Sequence, residues 1–173
     1  MTQPLRTACA ARRLAPAPDL AAFVPSLRRE AGVWLLESAL RGPRLGRYSF
    51  AGADPWLVLS ARDRACRLEV RRAVHPALAP GVSLREGDPL DLLRELLPPA
   101  PEALESDVAA LPFLGGAVGC LGYGLSAAMA PLCFSPRRAP GAADLVLFFV
   151  DRLLALDHRS GALLALGVGH GRD

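Results

Sequence analysis

The stretch Leu35 to Pro55, LLESALRGPRLGRYSFAGADP, constrains the fold more than any other part of the chain. Val33 to Leu36 is a short apolar run of the kind a buried strand makes, and it stops at Glu37 and Ser38, polar groups that a core does not normally accept. A carboxylate and a hydroxyl at a strand end form a grip for a ligand. After a Gly/Pro/Arg turn, GRYSFAG runs from Gly46 to Gly52. Asp54-Pro55 then closes the segment, because the residue before a proline is pushed into extended geometry. The expectation is strand, loop, strand.

The remaining pattern supports that pair. Asp19 to Gly32 predicts a first helix, with Leu20, Phe23, Val24 and Leu27 on one face, Asp19 capping its start and Pro25 kinking or splitting it. Trp56 to Ser60 and Cys66 to Arg72, joined by a polar turn, predict an antiparallel meander. Val74 to Gly87 reads as irregular. Asp88-Pro89 opens a short helix through Leu90, Leu93, Leu96 and Leu97 that Pro98-Pro99 ends. Pro98 to Ala110, rich in proline and acid, reads as an exposed linker. Asp144 to Leu156 has apolar runs broken by Asp151-Arg152, and Ala162 to Val168 completes a hairpin around Arg159-Ser160-Gly161. The expected fold class is α+β, mainly antiparallel β-sheet with a few short helices. Residues 1–17, broken by prolines and lacking a hydrophobic signal core, read as a loose leader, and 18–173 as one domain.

Bulk properties exclude several functions. All 20 basic residues are arginine, giving a net charge of +3. The arginine pairs at 12–13, 28–29, 71–72 and 137–138 are dispersed without interleaved aromatic residues, which argues for solvated faces and against nucleic acid. Cysteines at 9, 66, 120 and 133 form no CxxC pair, which suits a reduced, cytoplasmic protein. Residues 111–134 contain no charge, and a spanning helix needs ~20 apolar residues. The glycines and prolines of that run lower its hydrophobicity and its flanks lack charge asymmetry, so a membrane span is not the favoured reading. Neither GxGxxG nor a phosphate loop occurs there.

Catalytic signals are absent from the pattern. His75, His158 and His170 have no metal spacing, and Ser126 lies in no nucleophile elbow, so the expectation is no catalytic residue and no metal ligand.

Three motifs in order, LLES with GRYSFAGADP, LPFLGGAVGCLGYG from Leu111 and DLVLFFVDRLLALDH from Asp144, resemble the N-terminal half of anthranilate synthase component I and aminodeoxychorismate synthase component I. These are the chorismate-utilising enzymes of tryptophan and folate biosynthesis. The resemblance implies a non-catalytic N-terminal domain, with the chorismate-binding domain, its magnesium ligands and all catalysis outside these residues. It makes the 111–134 run a glycine-rich strand and implies a glutamine amidotransferase as ammonia source. It also implies an L-tryptophan effector site at Leu36, Glu37, Ser38 and Arg47, where Glu37 would accept from the ligand ammonium and Arg47 support its carboxylate. The alternative at these residues is a Glu37–Arg47 pair at a sheet edge, with Ser38 capping a turn. Cys120, Gly124 and Ala143 replace the tyrosine, acidic residue and proline usual in the family. A stand-alone tryptophan sensor and a degenerate remnant are the other functional readings. An apolar face left for the catalytic domain is expected to promote self-association.

Overall fold

A computed structural model describes residues 6–15, 19–40, 42, 45–101, 106–126 and 141–171. Its architecture is α+β: two five-stranded, mainly antiparallel sheets with short helices. By contacts the chain divides into two units, Met1–Pro55 with Pro99–Gly115 and Val150–Asp173, and Trp56–Pro98 with Gly116–Phe149. Residues 18–173, expected as one domain, contribute to both units.

The first unit begins with β1, Arg6–Leu14, which pairs antiparallel with β10, Ala162–Gly171, from Arg6 opposite Gly171 to Leu14 opposite Leu163. The loose leader expected at 1–17 thus contains a sheet strand. Small Ala residues and three arginines hide its alternation, and its hydrogen-bonding partner lies at the far end of the chain. Asp19 accepts from the Ala21 amide at 3.0 Å and caps α1, Leu20–Phe23. The helix expected to reach Gly32 stops there. Pro25, with no N–H to donate, lies in the tighter 3-10 turn Val24–Leu27 that follows.

β2, Trp34–Leu36, and β3, Tyr48–Gly52, are the expected strand pair, with Trp34 opposite Gly52 and Leu36 opposite Phe50. Gly52 is required by packing, because a Cβ there would fall 2.7 Å from the Trp34 indole. β3 also pairs with β9, Arg152–Asp157, which forms a hairpin with β10. The sheet order is β1-β10-β9-β3-β2. Alternation along the strands gives it two faces. Leu20, Ala51 and Leu163, with Leu35, Leu154 and Leu156 against them, fill one. Trp34, Phe50 and Phe113 meet edge to face on the other, with centroids 6.3 and 5.7 Å apart. The expected linker Pro98 to Ala110 contains a helical turn, Ser106–Ala109, whose Val108 is buried. One valine among acids and prolines gave no periodic signal.

In the second unit, β4, Leu57–Arg62, and β5, Ala65–Val70, form the predicted hairpin, and Asp63 takes positive φ at its tip. β6, Gly81–Glu86, pairs with β5 where an irregular segment was expected. All six of its residues are exposed, so no burial pattern marks it. The helix α2, Pro89–Leu96, starts as predicted, with Asp88 accepting from the Leu90 amide at 2.8 Å and Pro89 in the first turn. Its buried stripe is Pro89, Leu92 and Leu96, shifted from the predicted one: Leu90 and Leu93 flank it and Leu97 is exposed. The stripe packs on Leu57, Leu59, Leu68, Leu147 and Phe149 in the main core of this unit. Each such side chain stabilises the fold by roughly 1.5–3 kcal/mol relative to exposure. β7, Gly116–Leu121, lies beside β8, Leu145–Val150, in the order β6-β5-β4-β8-β7. The glycine-rich strand has its physical reason in Gly119, where a Cβ would collide with the Val146 carbonyl oxygen of β8. Among the described residues no helix is long and apolar enough to cross a membrane; residues 127–134 of the uncharged run lie outside them.

Candidate functional site

The candidate site lies at the end of the first unit's sheet where β2 leaves, β3 starts and β9 turns into β10. Leu36 ends β2 half-exposed, and Glu37 follows it into solvent. Ser38 is tied to β3 twice: its Oγ donates to the Tyr48 carbonyl at 2.6 Å, and its amide donates to Ser49 Oγ at 3.0 Å. Ser49 is 1% exposed, and its Oγ lies 2.7 Å from His158 Nε2. The His158 amide in turn donates to the Arg47 carbonyl at 2.8 Å. Five residues from three strand ends, Ser38, Arg47, Tyr48, Ser49 and His158, therefore share one hydrogen-bonded network.

Arg47 directs its side chain to Asp157. Nη2 sits 3.0 Å from Oδ2, Nε lies 3.3 Å from both carboxylate oxygens, and the guanidinium covers the Tyr48 ring at 4.7 Å. Asp157 also accepts from the Arg159 amide at 2.9 Å, which shapes the β9–β10 turn, and Gly161 closes that turn at positive φ. The Arg47 guanidinium holds the Asp157 carboxyl below the usual carboxylate range, against the opposing effect of burial. The same hydrogen bonds raise Arg47.

The predicted residues are thus brought together in part. Ser38 and the start of β3 at Arg47 share one network, whereas the Arg47 side chain pairs with Asp157 and Glu37 makes no ion pair with a described residue. Ser38 bridges two strands and does not cap a turn. A cavity of about 250 Å³ opens beside the ion pair, lined by Arg13, Arg47, Tyr48, Leu111, Asp157 and Ser160 among others. Its carboxylate, Asp157, is already paired with Arg47, and Leu36, Glu37 and Ser38 do not line it.

Sequence reasoning missed Ser49, Asp157 and His158 as parts of this region. The signal available was Asp157-His158 closing the third motif, two polar residues at the end of an apolar strand. The other histidines have structural contacts: His75 stacks on Trp56 at 6.5 Å, and His170 Nδ1 lies 3.2 Å from Thr7 Oγ1. Among the described residues no three His, Cys, Asp or Glu side chains gather as a metal site. Cys9, Cys66 and Cys120 are free thiols, and burial pushes Cys9 and Cys66 up.

No protein-family model matches the chain. It is 32% identical over 146 residues to anthranilate synthase component 1 of Mycolicibacterium smegmatis, covering 83% of this chain and 26% of that protein. It is 29% identical over 126 residues to anthranilate synthase component 1 of Acetivibrio thermocellus, covering 72% and 24%. The chain spans about a quarter of the length of these curated relatives. Over most of its own length, then, this chain is similar to a part of anthranilate synthase component 1.

Proposed function

We propose that these residues form the N-terminal, non-catalytic domain of a chorismate-utilising synthase, anthranilate or 4-amino-4-deoxychorismate synthase component I. The observation behind this reading is the 32% identity to an anthranilate synthase component 1 across 83% of the chain. The domain supports a chorismate-binding domain that holds the magnesium ion and aminates chorismate with ammonia from a glutamine amidotransferase. It also contributes part of an L-tryptophan site. There Leu36 offers apolar surface, exposed Glu37 accepts from the ligand ammonium, and Arg47 shares its guanidinium between Asp157 and the ligand carboxylate. Ser38, with its amide and hydroxyl both committed to β3, fixes the segment that presents Glu37.

The test is reconstitution. The pure chain is mixed with a separately expressed chorismate-binding domain from the same organism, chorismate, magnesium and ammonia, and the product is identified. Product that forms only in the mixture supports the reading, and its identity names the branch. Product from this chain alone, or none from two folded components, overturns it.

A further inference from the structure

We propose that Ser49 and His158 are positioning residues that lock the Leu36–Ser38 segment in place. This rests on reading that segment as the tryptophan site. Ser49 Oγ lies 2.7 Å from an imidazole nitrogen, a separation a nucleophile and its base would also show. At 1% exposure, however, no substrate reaches it, and the pair has another use.

Hydrogen accounting assigns that use. The Ser38 amide donates to Ser49 Oγ, so the hydroxyl proton of Ser49, itself 1% exposed, needs an acceptor. His158 Nε2, 2.7 Å away, supplies it in the tautomer that carries the ring proton on Nδ1. The imidazole is itself held against β3, because the His158 amide donates to the Arg47 carbonyl. The Ser38 hydroxyl on the Tyr48 carbonyl closes the other side. Residue 38 is consequently clamped through its amide and its side chain, and Glu37, one peptide unit away, inherits a fixed exit direction. A ligand that needs the Glu37 carboxylate meets it already placed, which removes an ordering cost from binding.

Amide exchange of Ser38 in the ¹⁵N-labelled full chain reads the clamp directly, and tryptophan calorimetry reads its consequence. Ser49→Ala is expected to speed Ser38 exchange about tenfold and to weaken tryptophan binding about five- to tenfold, the effect of one lost hydrogen bond. Leu35 and Ala51 exchange should be unchanged, and Ser49→Thr, which keeps a hydroxyl, should restore both readouts. Ser49→Cys, close in shape with a poor acceptor, reads the same effect if the alanine variant fails to fold, and His158→Ala should move Ser38 in the same direction. Unchanged Ser38 exchange in Ser49→Cys overturns the inference. Absence of tryptophan binding to the wild-type chain, with Ser38 exchange still dependent on Ser49, overturns the effector reading and supports the clamp.

Discussion

The Arg47 guanidinium grips the Asp157 carboxylate across the β3–β9 ladder, with Nη2 3.0 Å from Oδ2. The Asp157 side chain is 14% exposed and that of Arg47 48%, so solvent screens the pair. The folded-state carboxyl sits below its unfolded value near 3.9, first because of Arg47. Its stabilisation is therefore complete above the unfolded value and is lost as pH falls through the folded one. Asp157→Asn should lower stability at pH 7 by about 0.5–1 kcal/mol in urea unfolding, with the gap from wild type narrowing as pH drops below about 4. An equal gap at pH 7 and pH 2.5 would assign the loss to something other than the ion pair.

Local signals made part of this structure legible. The β4–β5 hairpin, the Asp88-Pro89 helix start and the β9–β10 hairpin all announce themselves locally, through alternation, a cap and a polar turn. β1 and β6 did not, for different reasons. β1 gains its place from pairing with β10 at the opposite end of the chain, and β6 is exposed on both faces, so alternation has nothing to report. The candidate site divides the same way. Ser38 and Arg47 stand in a recognisable motif, but the groups that fix them, Asp157 and His158, lie 110 and 109 positions from Arg47 and Ser49. Only folding reveals that the first and third motifs meet.

Gly119 should tolerate no side chain. A Cβ there would collide with the Val146 carbonyl oxygen and sit 3.0 Å from the Leu147 Cα, backbone atoms that cannot rotate away. Gly119→Ala is expected to cost about 2–3 kcal/mol, within the range of overpacking. Gly167→Ala, where nothing lies within 4 Å of the new methyl, is the control and should stay within about 1 kcal/mol of wild type. Similar urea midpoints for the two variants would refute the close approach of β7 to β8.

Asp88 should be worth a full cap. Its Oδ1 accepts from the Leu90 amide, and α2 delivers Leu92 and Leu96 to the core of the second unit. Asp88→Ala is expected to cost about 1 kcal/mol, and Asp88→Ser to recover most of it. Equal losses for alanine and serine in thermal unfolding would point away from capping.

The edge of the second sheet should drive association. Among the described strands β6 has a neighbour on one side only, which leaves one row of backbone donors and acceptors available for pairing. Val82 and Leu84, 58% and 79% exposed, share one face of that edge. A hydrophobic strand with free backbone groups is a template for a second strand, so the wild-type chain should associate as its concentration rises. Leu84→Lys places a solvated charge on the edge without removing any buried contact. Sedimentation velocity should show the variant monomeric at concentrations where the wild type associates, with stability changed by no more than about 0.5 kcal/mol. Association that persists unchanged in Leu84→Lys would move the sticky surface away from β6.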